Sequence, residues 1–173
     1  ELMGGRIWAE SALGVGSTFH FTARFKRLGV DRRMLKQVLA LELANRPSRT
    51  VLLVDDTPVA LAVLEVLVKQ LGVSVCSVNS GEAAIALATA HDAPQFLACL
   101  VDWLMPSMDG IQTIRELRRI CDARWNAAPP MILVTAYSHH DDLGSLGQYI
   151  DGLVVKPVSA RHVHAELARC LGI

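Results

Sequence analysis

The 173-residue sequence predicts an α/β fold: a doubly wound, five-stranded parallel sheet preceded by a β-hairpin and a helical linker. Three observations predict it. Short apolar runs alternate with helical patterns five times between residues 50 and 173, the spacing of successive β/α units. Those runs are nearly continuous in apolar residues, as strands buried on both faces must be. Three of them end in charge: Val51-Leu52-Leu53-Val54 runs into Asp55-Asp56, Leu100-Val101 into Asp102, and Leu153-Val154-Val155 into Lys156.

The elements follow in chain order. Residues 1–25 read as a hairpin, with turn signals at Gly4-Gly5 and Gly14-Val15-Gly16-Ser17 and alternating patterns over 6–10 and 18–25. An isolated hairpin is marginal in water, so this zone calls for a partner surface. Residues 26–49 read as a linker: Asp31 can cap a helix carrying Met34, Leu35, Val38, Leu39, Leu41 and Leu43, and Pro47 bars its continuation. That helix either packs on the following domain or serves as a signalling or dimerising helix, and fewer than two heptads favour packing.

Residues 50–173 hold strands expected at 51–54, 73–78, 97–101, 131–135 and 152–155. The first helix starts at Thr57-Pro58, the second at Ser80-Gly81-Glu82, and the third after Asp109-Gly110 with Ile111, Ile114, Leu117 and Cys121 on one stripe. A fourth, over 141–149, carries Gly144 and Gly147, which weaken it. A fifth runs from Ser159 to Leu171-Gly172. Right-handed crossovers place every strand C-terminus along one edge, where open sheets bind ligands. Asp55, Asp56, Asp102, Thr135 and Lys156 converge there.

Composition narrows the classes. Lys+Arg and Asp+Glu both number 17, so no basic footprint marks nucleic-acid binding; Arg115, Glu116, Arg118 and Arg119 read as a solvated helix face. Cys76, Cys99, Cys121 and Cys170 lack metal-ligand spacing and fit a reduced, cytoplasmic setting, with Cys76 and Cys99 as buried thiols. The longest apolar stretch, 59–68, is broken by Glu65 and too short to span a bilayer. No signal peptide is visible. The chain starts at Glu1, so the reading is a piece of a longer protein whose membrane anchors would lie elsewhere. His139, His140, His162 and His164 read as solvated surface, with no partner at metal spacing.

Chemistry at the edge follows from charge. Gathered carboxylates repel unless a cation intervenes, and a hard oxygen site with few protein ligands suits Mg2+. Lys156 adds a point charge and Thr135 a hydroxyl donor for phosphoryl oxygens. Phosphoryl transfer demands chiefly positioning and charge neutralisation, and Asp102 then serves as the nucleophile forming an acyl phosphate. Taken alone, Asp55 or Asp56 reads equally well as a helix cap.

Val54-Asp55-Asp56, the run Asp102-Trp103-Leu104-Met105-Pro106-Ser107-Met108-Asp109-Gly110, Thr135-Ala136 and Lys156-Pro157 make residues 50–173 resemble the receiver domain of two-component response regulators. The resemblance implies a flavodoxin-like sheet of order 2-1-3-4-5 and phosphorylation of Asp102 by a phosphohistidine. It implies Mg2+ held by Asp56, Asp102 and the backbone carbonyl of Leu104, with Asp55 acting partly through water. Thr135 and Lys156 bind the phosphoryl group, and Lys156-Pro157 is cis. Residues 3–19 resemble the last hairpin of the histidine-kinase ATPase domain, with Gly14–Gly16 like its second glycine box; the earlier asparagine and glycine motifs are absent, so the chain itself is not expected to bind ATP.

That order, kinase end then receiver, resembles a hybrid sensor histidine kinase. Its implied partners are the kinase dimerisation and phosphoacceptor domain and a histidine phosphotransfer domain, with dimerisation open and no nucleic acid or membrane contact. Where the family often carries an aromatic residue three before the lysine, this chain has Leu153, which implies a weaker conformational switch. Leu104 and Tyr137 stand where the family flanks the attacking water, which implies slow phosphate loss. The first receiver helix has more apolar residues than one core stripe needs, marking either a partner site or a face covered by the linker or a second copy. Two rival classes remain: a non-phosphorylated receiver-like interaction module, and an α/β phosphatase using an aspartyl phosphate.

Overall fold

The computed structural model describes residues 4–24, 37, 40–46, 48–136 and 147–173. The chain divides into two compact units, Glu1–Arg32 and Arg33–Ile173. In the first, β1 (Ile7–Ala12) pairs antiparallel with β2 (Gly16–Phe21), Ile7 opposite Phe21. Gly14 and Gly16 take φ of 78° and 120° in the turn, where a side chain is disfavoured. Trp8 stacks on His20 at 4.9 Å on one face. Ile7, Phe19 and Phe21 are exposed on the other.

The second unit holds β3 (Thr50–Val54), α1 (Pro58–Lys69), β4 (Ser74–Val78), α2 (Gly81–Thr89), β5 (Phe96–Asp102), α3 (Gly110–Trp125), β6 (Met131–Thr135), β7 (Gly152–Val155) and α4 (Ala160–Leu171). The strands form one parallel sheet of order β4-β3-β5-β6-β7, the 2-1-3-4-5 arrangement when counted from β3. Strand pleating splits β3 between two cores. Val51 and Leu53 pack with Leu64 and Val68 of α1 and Val163 and Leu167 of α4. Leu52 and Val54 face the other way, onto Ala84 of α2 and Ile111, Ile114 and Leu117 of α3. Both faces are therefore covered, which is why the strands read as continuous apolar runs.

The caps explain where helices start. Ser80 accepts from Ala83 N–H at 3.1 Å, and Asp109 forms a reciprocal box with Gln112. Thr57 sits at the cap of α1 but makes no capping bond with its side chain. Its N–H instead donates to Asp55 Oδ1 at 2.9 Å, so an acidic turn orients the helix start.

Several sequence readings change. His164 is buried, its Nε2 2.8 Å from the Leu67 carbonyl of α1; an apolar stripe neighbour can be a histidine when a helix-end carbonyl needs a partner. Arg118 leaves the solvated face to pair with Asp151 at 2.6 Å, and Arg115 packs its guanidinium 4.3 Å from the Tyr149 ring. Cys99 is buried as expected, but Cys76, near the sheet edge, is only half-buried. Residues 40–44 are helical and Leu43 is buried within the core of the second unit, in line with a packed linker. Met34, Leu35, Val38 and Leu39, Tyr137, His139 and His140, and most of the fourth expected helix lie outside the described residues. No helix among the described residues is long and apolar enough to cross a membrane.

Candidate functional site

The parallel sheet brings the predicted residues to one edge. β3 hands over to Asp55, fully buried, with its N–H donating to the Val78 carbonyl of β4 at 3.3 Å. Asp56, next along, is exposed. Asp102 closes β5 and is nearly buried, and Thr135 closes the adjacent β6, also buried. Lys156 follows β7; its N–H donates to the Thr135 carbonyl at 2.6 Å, and the Lys156–Pro157 peptide is cis. Carboxylate oxygens of Asp55, Asp56 and Asp102 lie within 4.8 Å of one another. Lys156 Nζ bridges two of them, 2.6 Å from Asp102 Oδ1 and 3.0 Å from Asp55 Oδ2.

Three carboxylates against one ammonium leave a formal charge of −2 in this cluster. Burial raises the Asp102 carboxyl above its ordinary value, the Lys156 hydrogen bond opposes this, and the charge of Asp55 adds to it. Burial pulls the Lys156 ammonium down, but its bonds to Asp102 and Asp55 outweigh that and the net shift is upward. Lysine thus stays charged, yet offsets only part of the repulsion. All three acids offer hard oxygen donors, which is the donor set of a small divalent cation.

The loop after Asp102 is held as tightly as the strand. Trp103 N–H donates to the Val134 carbonyl at 2.9 Å, and Gly110 N–H to the Trp103 carbonyl at 2.8 Å. A Cβ on Gly110 would stand 2.1 Å from the Asp102 carbonyl oxygen, so only glycine lets α3 start against the Asp102 peptide. Ser107 takes φ of 66° within this loop. Leu104 stands out of it, 60 % exposed, two residues from Asp102. In the sequence Asp109-Gly110 marks a helix start and closes the receiver-like run, but nothing local shows that Gly110 abuts the Asp102 peptide.

Residues 51–168 match the response regulator receiver domain family. The chain belongs to that family. As a receiver domain it is similar to the sensor histidine kinase GacS of Pseudomonas protegens, 30 % identical over 132 residues that cover 76 % of this chain and 14 % of the relative. It is similar to the aerobic respiration control sensor protein ArcB of Escherichia coli, 29 % identical over 169 residues, covering 96 % of this chain and 20 % of that protein. The chain therefore spans about a seventh to a fifth of these relatives. The receiver domain of the sensor histidine kinase PA1611 from Pseudomonas aeruginosa, with a magnesium ion in its active-site cleft, is 27 % identical with a TM-score of 0.60, over 73 % of this chain and 99 % of that one. Vibrio cholerae CheY4, at 23 % identity and a TM-score of 0.61 over 72 % of this chain and 99 % of that one, shares the fold.

Proposed function

We propose that this receiver accepts a phosphoryl group on Asp102 from a phosphohistidine, with Mg2+ at the acidic cluster, as part of a hybrid sensor histidine kinase phosphorelay. The single observation that carries it is the meeting of Asp55, Asp56 and Asp102 with Lys156 at one sheet edge. An Asp102 carboxylate oxygen attacks phosphorus, the phosphorus–nitrogen bond breaks, and the imidazole leaves with the bonding pair and takes a proton. Lys156, already 2.6 Å from Asp102, follows the negative charge onto the phosphoryl oxygens, while the Thr135 hydroxyl donates to one of them. Asp56, Asp102 and the Leu104 carbonyl would hold the ion, with Asp55 behind them. The ion supplies charge neutralisation at the phosphoryl oxygens. The cluster's formal −2 charge supports a cation here, and PA1611 carries magnesium in its cleft.

The donor's docking face is the apolar groove of α1, lined by Pro58, Val59, Ala62, Val63, Val66 and Leu67. Val59, Val63 and Val66 are exposed there, at the helix whose start is bonded to Asp55. A histidine-kinase phosphoacceptor domain or a histidine phosphotransfer domain, each presenting its histidine on a helix, fits such a face. The domain scheme is a kinase-type hairpin over 1–25, a linker over 26–49 and the receiver over 50–173, within a cytoplasmic part of a parent that is membrane-anchored elsewhere.

Incubation with acetyl phosphate and Mg2+ tests the reading. One phosphoryl group per chain, absent in Asp102→Asn, supports it; no labelling favours a pure interaction module, and rapid turnover of external phosphoesters favours a phosphatase.

A further inference from the structure

Two segments outside the matched family region, residues 40–46 with 48 and 49 before it and 171–173 after it, meet at the end of the sheet opposite Asp102. Leu43 is 2 % exposed and shares a buried cluster with Val68 of α1, with Leu71 and Val73 that follow the helix, and with Leu97; Leu171 and Ile173 also pack against it. Its helical neighbour Leu41 is 68 % exposed, so one side chain anchors the segment. Arg46 Nη2 donates to the Leu171 carbonyl at 2.7 Å. That carbonyl is one of the unpaired acceptors at the C-terminal end of α4, where a cation also meets the negative end of the helix dipole. Ser48 donates its hydroxyl to the Gln95 carbonyl, and the Arg49 carbonyl accepts from Ser74 N–H at 2.8 Å, which splices the segment into the start of β4.

We propose that residues 40–46, with 48 and 49, are a strap belonging to the receiver, clasping its C-terminal tail and bracing the C-terminal end of α1. The phosphoacceptor unit then begins at residue 40 instead of residue 50. The chain entering it at residue 40 is pinned to the far end of the sheet. Because linker length sets the effective concentration of a tethered donor, a docked strap shortens the reach of whatever precedes it. The importance of the brace for donor docking rests on the function proposed above; the clasp itself does not.

The test uses the full chain and three variants, read by hydrogen–deuterium exchange and thermal melting, neither of which requires phosphoryl transfer. In the unaltered chain, segments 40–46 and 169–173 should be protected together. Leu43→Ala should lower the receiver's Tm by roughly 10 °C, the size expected for a buried leucine truncation in a unit of this length, and speed exchange over 64–71. Arg46→Ala should release 40–46 and 169–173 with a Tm loss of only a few degrees, and Leu41→Ala should change neither. Exchange of 40–46 at the rate of unstructured chain overturns the proposal, as does a Leu43→Ala melt matching that of Leu41→Ala. If Leu43→Ala fails to fold, unchanged exchange of both segments in Arg46→Ala overturns it.

Discussion

Lys156 Nζ lies 2.6 Å from Asp102 Oδ1, and the same ammonium reaches Asp55 at 3.0 Å. One cation therefore ties together two buried acids at the ends of β3 and β5, from the residue that follows β7. Removing it leaves those acids facing each other with Asp56 alongside. For Lys156→Met we expect a loss of about 1–3 kcal/mol in urea denaturation without divalent ions, toward the low end because the lysine is a third exposed. Added Mg2+ should recover most of it. A variant as stable as the parent in EDTA contradicts the electrostatic reading.

Asp102 sets the pH dependence of the same site. Its carboxyl is raised, burial leading and Asp55 contributing, so the folded state holds this proton more tightly than the unfolded chain. The contribution of this group is then fully present below the unfolded value of about 3.9 and is lost as pH rises through the folded value. In EDTA, Asp102→Asn should abolish that decline and exceed the parent in stability at pH 7. Parallel stability–pH curves for the two proteins would contradict it.

Glu166 behaves in the opposite sense. It accepts the Leu153 N–H of edge strand β7 at 2.8 Å and pairs with Arg169 at 2.7 Å. Arg169 first, and the Leu153 bond with it, hold its carboxyl below the ordinary value against the opposing effect of burial. This contribution is present above the unfolded carboxylate value of about 4.3 and is lost as pH falls through the folded one. Glu166→Ala should cost about 1–3 kcal/mol at pH 7 by leaving an edge N–H unpaired, with the difference closing in acid. A deficit that persists unchanged at low pH argues against the carboxylate.

The strands, caps and acid cluster were legible because each rests on local signals: apolar runs, Ser80 and Asp109 ahead of helices, charges at strand ends. What stayed hidden depends on which helix packs where. His164 looked solvated because nothing local reveals that the Leu67 carbonyl is its partner. Arg118 reads as part of a solvated face because Asp151, its partner, is 33 residues away. Likewise, Asp109-Gly110 announces a helix, but only the fold shows that the glycine touches the Asp102 peptide.

Gly110→Ala therefore tests the junction between α3 and Asp102. A Cβ there overlaps backbone, which cannot swing aside as a side chain would. The expected loss is at least about 2 kcal/mol in urea denaturation, with labelling of Asp102 slowed beyond what the residual folded fraction explains. Normal stability and labelling would place the helix start elsewhere.

Leu104 and the α1 groove separate chemistry from docking. Leu104 offers no hydrogen bond to orient a hydrolytic water, so phosphorylated Asp102 should persist for many minutes. Leu104→Asn should shorten that lifetime roughly tenfold, about 1.4 kcal/mol of barrier; a lifetime of seconds in the parent contradicts this. Val63→Asp, at an exposed groove position, should cut transfer from a phosphorylated histidine domain at least roughly tenfold while acetyl phosphate labelling is unchanged.

Intact mass after incubation with acetyl phosphate and Mg2+ is the most direct measurement of the central claim, that Asp102 is a phosphoacceptor held by Asp55, Asp56 and Lys156. The expected result is a single added phosphoryl group that requires the divalent ion, is lost in alkali as an acyl phosphate must be, and is absent in Asp102→Asn. No adduct under these conditions, or an adduct that persists in Asp102→Asn, would contradict it.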